Sequence, residues 1–265
     1  MQQLTGSRFG RYLNPLFVLG VYLFLYLPIV VLVVFSFNDG DFAGGWKGFS
    51  LRWYYEMADS REILGALKAS VIVASSATIL SLVCGTCAVI ATKWLRLGRW
   101  LSIFYANVLV PDIVLGIGLL CVFSVIGFPL GYKSLIIGHT VVGLGFVIPI
   151  VGSRFHQIDP ILTEASLDLG ATQWQTMRRV VLPLLMPGLM ASALLVFTLS
   201  LDDFVISFFC SGTHIETLSV YVFNQVKNMI DPRINALSTC MLLISSACVM
   251  CLAYLNVLDQ VVHSE

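Results

Sequence analysis

Thr163-Glu164-Ala165-Ser166-Leu167-Asp168-Leu169-Gly170-Ala171-Thr172-Gln173-Trp174-Gln175 lies at the centre of a polar stretch, Arg154 to Gly188, set between two apolar runs. The stretch is too polar to enter a bilayer and is dense in helix punctuation. Thr163 is placed to cap a short helix, with Glu164 in its first turn, where the helix dipole favours an acid. Gly170 stands where a left-handed residue would end that helix. Thr172 and Gln175 match a capping box for a second helix. Trp174, Met177 and Val181 recur along it at helical spacing, and Pro183 is expected to stop it. The reading is two short helices hinged at a glycine. Without a protein partner, such a hairpin would be an interfacial amphipathic element.

The surroundings of this stretch are apolar to a degree that fixes the solvent. Soluble domains are about 45–50% apolar and about 25% charged; here 58% of 265 residues are hydrophobic and 11% are charged. A water-soluble core of this size cannot hide that much apolar surface, so a lipid bilayer is the expected medium. Fifteen basic and fifteen acidic residues cancel. No concentrated basic face of the kind nucleic acid requires is present, so nucleic acid is not an expected partner. The seven cysteines all lie in or beside apolar runs, as small apolar residues do, and Cys84-Gly-Thr-Cys87 lacks a second ligand pair.

A membrane-crossing helix needs about 20 apolar residues. Six runs meet or approach this: Leu16 to Phe37, Ala69 to Thr92, Leu101 to Ile126, Ser134 to Val151, Leu189 to Phe209, and Ala236 to Leu258. The fold class expected is an all-α membrane protein of six transmembrane helices. The first run follows Arg8 and Arg11 but lacks a small-x-small cleavage site, so it reads as a retained span. The second is rich in small residues, the composition of a close helix–helix interface. The fourth carries Gly138, Gly143, Gly145 and Pro149, breakers tolerated inside a bundle rather than against lipid.

Orientation follows from the short loops. Arg8 and Arg11 before the first span, and Lys93, Arg96 and Arg99 after the second, are unaccompanied by acids; Arg154, Arg178 and Arg179 lie between the fourth and fifth. The other loops mix their bases with Asp39, Asp41, Glu56, Asp59, Glu62, Glu216 and Asp231. Both termini are therefore expected in the cytoplasm. The organisation expected is an N-terminal tail, span and outer loop over 1–65, one transmembrane domain over 66–255 containing the cytoplasmic loop 154–188, and a short tail over 256–265.

Ionisable residues inside spans are costly and by default functional. Three acids lie deep, Asp112, Asp202 and Asp203, with no Lys or Arg at comparable depth. Counted from the inner ends of their spans they sit about 16–20 Å in. Pro111 would open the helix beside Asp112. An acid-only set at mid-membrane suits a cationic substrate. Each acid also has a local alternative: Asp112 as a cap at the break, and one of the Asp202–Asp203 pair bound to Ser200, Ser207 or backbone at a bend. Adjacent residues point about 100° apart, so the pair cannot share one direction. Phe204, Phe208 and Phe209 could hold an ammonium by cation–π contact or simply pack. His139 reads as a satisfied bundle residue more than a ligand, and Trp53-Tyr54-Tyr55 as an interfacial belt or outer-surface helix.

Glu164-Ala165-Ser166-Leu167-Asp168-Leu169-Gly170, nine residues, then Val180-Val181-Leu182-Pro183 resembles the coupling loop of permeases from binding-protein-dependent ATP-binding-cassette (ABC) importers. Ser166 replaces an Ala and Val180 an Ile of that pattern; the spacing is intact. The resemblance implies a type I ABC importer transmembrane domain. It also implies that Glu164, Ala165, Ser166, Asp168, Gly170, Val180, Leu182 and Pro183 couple the chain to two copies of an ABC ATPase. The chain has no G-x-x-x-x-G-K-[ST] phosphate loop. ATP and Mg are thus expected on the separate ATPase, with no cofactor on this chain and no catalytic or metal-ligating residue of its own. Val110-Pro111-Asp112-Ile113-Val114, Thr198 to Val205, and Gly48 to Tyr54 narrow the resemblance to permeases of spermidine/putrescine importers. Ferric iron, thiosulfate or opine permeases share part of this, and a self-sufficient secondary transporter is the rival class. The narrower resemblance implies a companion permease, a periplasmic substrate-binding protein, residence in the bacterial inner membrane, and a polyamine path along Asp112, Asp202, Asp203 and Phe204.

Overall fold

Small side chains along the second apolar run let three long helices close on one another. The structure, a computed structural model, describes residues 8–40, 45–92, 104, 106, 109–213, 215–228 and 233–262. In order the helices are α1 (Arg8–Phe35), α2 (Arg52–Asp59), α3 (Arg61–Ala91), α4 (Asp112–Val125), α5 (Tyr132–Gln157), α6 (Pro160–Asp168), α7 (Gln173–Thr176), α8 (Leu182–Asp202), α9 (Val205–Cys210), α10 (Leu218–Asn228) and α11 (Arg233–Val262). A π-helical turn, Met177–Val181, joins α7 to α8. Among the described residues, pairing outside helices is limited to an isolated bridge between Asn38 and Phe49.

Five described helices are long and apolar enough to cross a membrane: Phe17–Phe35, Arg61–Ala91, Tyr132–Gln157, Gln173–Asp202 and Arg233–Cys251. Helix α4 is a shorter apolar helix at the place of the third expected span. The start of that run at Leu101, the basic residues Lys93, Arg96 and Arg99, and the loop acids Asp41 and Asp231 lie outside the described residues.

By contact the chain divides into two units, Met1–Ser60 with Gln225–Leu242, and Arg61–Asn224 with Leu243–Glu265. In the first, the part of α1 from Phe17 to Phe35 is apolar all round and the described side chains from Phe17 to Val31 are exposed, as suits a helix solvated by lipid. Its end is locked by short-range contacts. Ser36 Oγ lies 2.7 Å from the Tyr54 hydroxyl, Trp53 Nε1 donates to the Asn38 carbonyl at 2.7 Å, and Phe37 stacks on Phe49. Trp53 is buried. The aromatic cluster does form a helix, but Trp53 spends its indole on this clasp rather than on a lipid belt.

In the second unit α3, α5 and α8 pack mutually around Val89, Val147, Ile148, Val151, Val181, Leu185 and Val196. Gly143 sits where a β-carbon would collide with the Ser81 hydroxyl and come within 2.9 Å of Val196 Cγ1, so its hydrogen is what lets the three helices meet. Ser81 Oγ donates to the Thr140 carbonyl across the same seam at 3.2 Å. The small-residue interface and the interior place of the fourth run are thus as expected. A second cluster, Val73, Phe123, Leu135, Ile206 and Cys210, packs the other end, where Ser134 Oγ donates to the Cys210 carbonyl at 2.7 Å.

Three local expectations are corrected. Helix α6 is capped by Asp159, whose Oδ1 accepts from Ile161 N at 2.9 Å, with Pro160 in the first turn. Thr163 instead lies inside the helix with its hydroxyl on the Pro160 carbonyl, which moves Glu164 to the second turn. Pro183 does not stop the second helix. A π turn, in which Leu182 N bonds to the Met177 carbonyl, lies just before it; Pro183 sits in the first turn of α8, which continues to Asp202. Finally, the run Leu189 to Phe209 is not one helix: it breaks at Asp203, whose ψ of 124° is extended.

Candidate functional site

Two short helices and their connection form the first region of interest. Helix α6 ends in a Schellman arrangement: Ala171 N bonds to the Ser166 carbonyl at 3.1 Å and Gly170 N to the Leu167 carbonyl at 2.9 Å. That geometry puts Gly170 at φ +83°, where a side chain is strained. The capping box at Thr172 is complete, with Thr172 N on Gln175 Oε1 at 2.8 Å and Gln175 N on Thr172 Oγ1 at 3.3 Å. Ser166 Oγ lies 2.9 Å from Thr176 Oγ1 and ties the two helices together. Glu164, Ala165, Asp168, Leu182 and Pro183 are exposed, and Ser166 and Val180 half-buried. Ile161, Leu169 and Trp174 are 66%, 88% and 71% exposed, so the hairpin presents an apolar surface left uncovered by the described residues.

The second region is a cavity of about 120 Å³, partly open, lined by Asp112, His139, Val142, Gly143, Phe146, Val196, Leu199, Ser200, Asp203 and Ile206. Its walls come from the start of α4, the middle of α5, the last turns of α8 and the first turn of α9. Pro111 is extended and Asp112 takes the first position of α4, an acid at a helix N-terminus, without a side-chain cap bond. The break in the fifth span aims the neighbouring pair apart. Asp203 turns into the cavity, and its Oδ2 accepts from Ser207 N at 3.0 Å, capping α9. Asp202 is exposed and accepts from Ser245 Oγ of α11 at 2.7 Å, away from the cavity lining.

The lining therefore joins Asp112 to Asp203 and leaves out Asp202 and Phe204. Phe204 stacks with Phe223 at 4.6 Å between centroids and with Phe208 at 5.4 Å. The local alternative for one Asp of the pair, a backbone bond at a bend, is realised by Asp203 alongside its place in the cavity. His139 is buried and satisfied, its Nδ1 2.8 Å from Ser200 Oγ and its Nε2 3.2 Å from Ser207 Oγ. What the sequence did not single out are the apolar wall residues, Val142 and Phe146 among them. No Lys or Arg lines the cavity. Chemically, it offers two carboxylates, hydroxyl groups and apolar walls.

A model of the binding-protein-dependent transport system inner membrane component family matches residues 87–260. The chain belongs to that family. It is a multi-pass inner-membrane permease of an ABC transport system. The permease is 36% identical over 247 residues to the spermidine/putrescine transport system permease protein PotC of Haemophilus influenzae, covering 92% of this chain and 95% of that one. It is 35% identical over 231 residues to the putrescine transport system permease protein PotI of Escherichia coli K12, covering 83% and 82%. Among solved structures, a bacterial ABC transporter involved in import of the acidic polysaccharide alginate matches with a TM-score of 0.67 over 95% of both chains. At 14% identity that likeness speaks to the fold alone, which is the type I importer architecture expected.

Proposed function

We propose that the permease imports polyamines such as spermidine and putrescine, delivered by a periplasmic binding protein, along a path it forms with a companion permease. The observation that carries this is the cavity with Asp112 and Asp203 on its wall and no Lys or Arg among its described lining residues. A carboxylate held at this depth needs a cation or a set of hydrogen bonds to stay charged. A passing ammonium supplies the cation, and the apolar walls suit the methylene segments between ammonium groups. Asp202 and Phe204 extend the acidic and aromatic surface beyond the cavity. The two named relatives support the same substrate class.

The hairpin Pro160–Val181 docks in the ATPase, with Glu164, Ala165, Ser166, Asp168 and Gly170 in the first helix and Val180, Leu182 and Pro183 leading into the span. Its exposed Ile161, Leu169 and Trp174 are suited to a protein groove. ATP and Mg are held by two ATPase copies, this chain performs no chemistry, and both termini lie in the cytoplasm. ATP-driven closure of the ATPase pair moves the hairpin, and α8, continuous with it, transmits the motion to the cavity.

The test is uptake of labelled spermidine by the complete assembly carrying Asp112→Asn with Asp203→Asn. Loss of charge-assisted hydrogen bonds of about 1.5–3 kcal/mol each predicts a fall of about tenfold or more. Unchanged uptake by the double variant would return both acids to structural duty.

A further inference from the structure

We propose that His139 is a positioning residue for transport: it braces the helix break between α8 and α9 and thereby holds the Asp203 carboxylate on the cavity wall. The inference rests on the reading that Asp203 lines the substrate path. The break at Asp203 and Phe204 leaves two helix ends with no continuous ladder between them. Ser200 lies in the last turn of α8, before the break, and Ser207 in α9, after it. One imidazole reaches both, Nδ1 to Ser200 Oγ at 2.8 Å and Nε2 to Ser207 Oγ at 3.2 Å, and the same Nε2 is 3.8 Å from Asp203 Oδ2. Ser207 also gives its backbone N–H to that oxygen at 3.0 Å. The ring and the carboxylate therefore hold one residue, Ser207, from two sides.

The placement of His139 is built into α5. At Gly138 a β-carbon would approach Ile206 Cγ2 within 2.9 Å, so the missing side chain sets how closely α5 meets α9. Gly143, on the same helix, sets the approach to α3 and α8. Between these contacts the imidazole is 3% exposed and bounds the cavity without lying free in it. A neutral imidazole carries one donor and one acceptor. With its hydrogen on Nε2 the ring donates to Ser207 Oγ and turns a donor towards Asp203, while Nδ1 accepts from the Ser200 hydroxyl; the opposite tautomer reverses both serine bonds. Losing the ring frees the two helix ends to pivot about Asp203, and the carboxylate loses its fixed bearing on the cavity.

Three variants separate the ring's two contacts, tested by polyamine uptake in the complete assembly with assembly followed by co-purification. His139→Gln carries its amide to about the reach of Nε2, His139→Asn to about that of Nδ1, and His139→Ala keeps neither. The expected result is assembled complex in all three. His139→Ala should lose about tenfold in substrate imported per ATP hydrolysed, as misplacement of a binding group does. His139→Gln should recover most of this and His139→Asn little. In an Asp203→Asn background, His139→Ala should cost nothing further, because the two act through one carboxylate. Normal uptake by His139→Ala, equal recovery by Gln and Asn, failure of all three to assemble, or a full additional loss in the Asp203→Asn background would each overturn the proposal. Normal uptake by Asp203→Asn alone would instead overturn the path reading on which it rests.

Discussion

Around His139 the polar groups answer one another within the chain, whereas the hairpin from Pro160 to Val181 keeps its backbone satisfied and leaves Ile161, Leu169 and Trp174 uncovered. Both regions are rigidly specified, one by a buried ring between two hydroxyls, the other by a Schellman turn and a capping box. They differ in where the unmet demand lies. In the cavity it is electrostatic, two carboxylates with no Lys or Arg among the described lining residues, which a small soluble cation can meet and leave. On the hairpin it is apolar area, which a folded partner or a lipid interface covers and a small soluble cation does not. The difference matches a transient cargo at one place and a standing protein neighbour at the other.

The comparison can be broken most forcefully at the packing seam. Gly143→Val should destabilise the detergent-solubilised permease by about 3 kcal/mol through overpacking against Ser81 and Val196. Gly118→Ala, where a β-carbon meets nothing within 4 Å, should leave the thermal midpoint unchanged or slightly raised. Next comes the hairpin's hinge. Gly170→Val imposes about 1–2 kcal/mol of left-handed strain and should reduce uptake about tenfold while membrane content stays normal; Gly170→Asn, which tolerates that backbone, should be milder. If both variants transport normally, the hairpin's shape is not what couples it. Trp174→Ala should weaken ATPase co-purification about tenfold without moving the thermal midpoint, the signature of an uncovered contact rather than a core one. The smallest effect is expected from Thr172→Ala, a cap loss of about 1 kcal/mol confined to the hairpin and measurable as faster amide exchange over Gln173–Thr176.

Much of the hairpin was legible because its signals are local. Gly170, Thr172 and Gln175 do what their spacing implies. Thr163 was misread because Asp159-Pro160, beginning four residues earlier, is the stronger start signal, an acid cap followed by a proline that needs no N–H. Pro183 was misread because a proline in the first turn of a helical segment needs no N–H, and here it follows a π turn from which the helix runs on. The acids were legible as a set, since charge at depth is visible in any apolar run. Which of Asp202 and Asp203 enters the cavity was not. That depends on a break in α8 fixed by Ser207, His139 and Ser219, whose hydroxyl donates to the Leu201 carbonyl at 3.3 Å. Those partners are distant in sequence or lie beyond the break, and no periodicity announces them.

The π turn at Met177–Val181 also bears on the direction in which the hairpin faces. In a plain α-helix one added residue rotates everything beyond it by about 100°. A π turn takes the added residue into a wider loop instead, so Trp174 keeps about the bearing on Leu185, wholly buried in the span, that an α-helix one residue shorter would give. Deleting Arg178 with a return to ordinary α geometry would therefore leave the hairpin's apolar face on about the same side of the helix axis. Deleting a residue from the plain α-helical part of α8 would instead swing that face about a quarter-turn, with every contacting side chain still present.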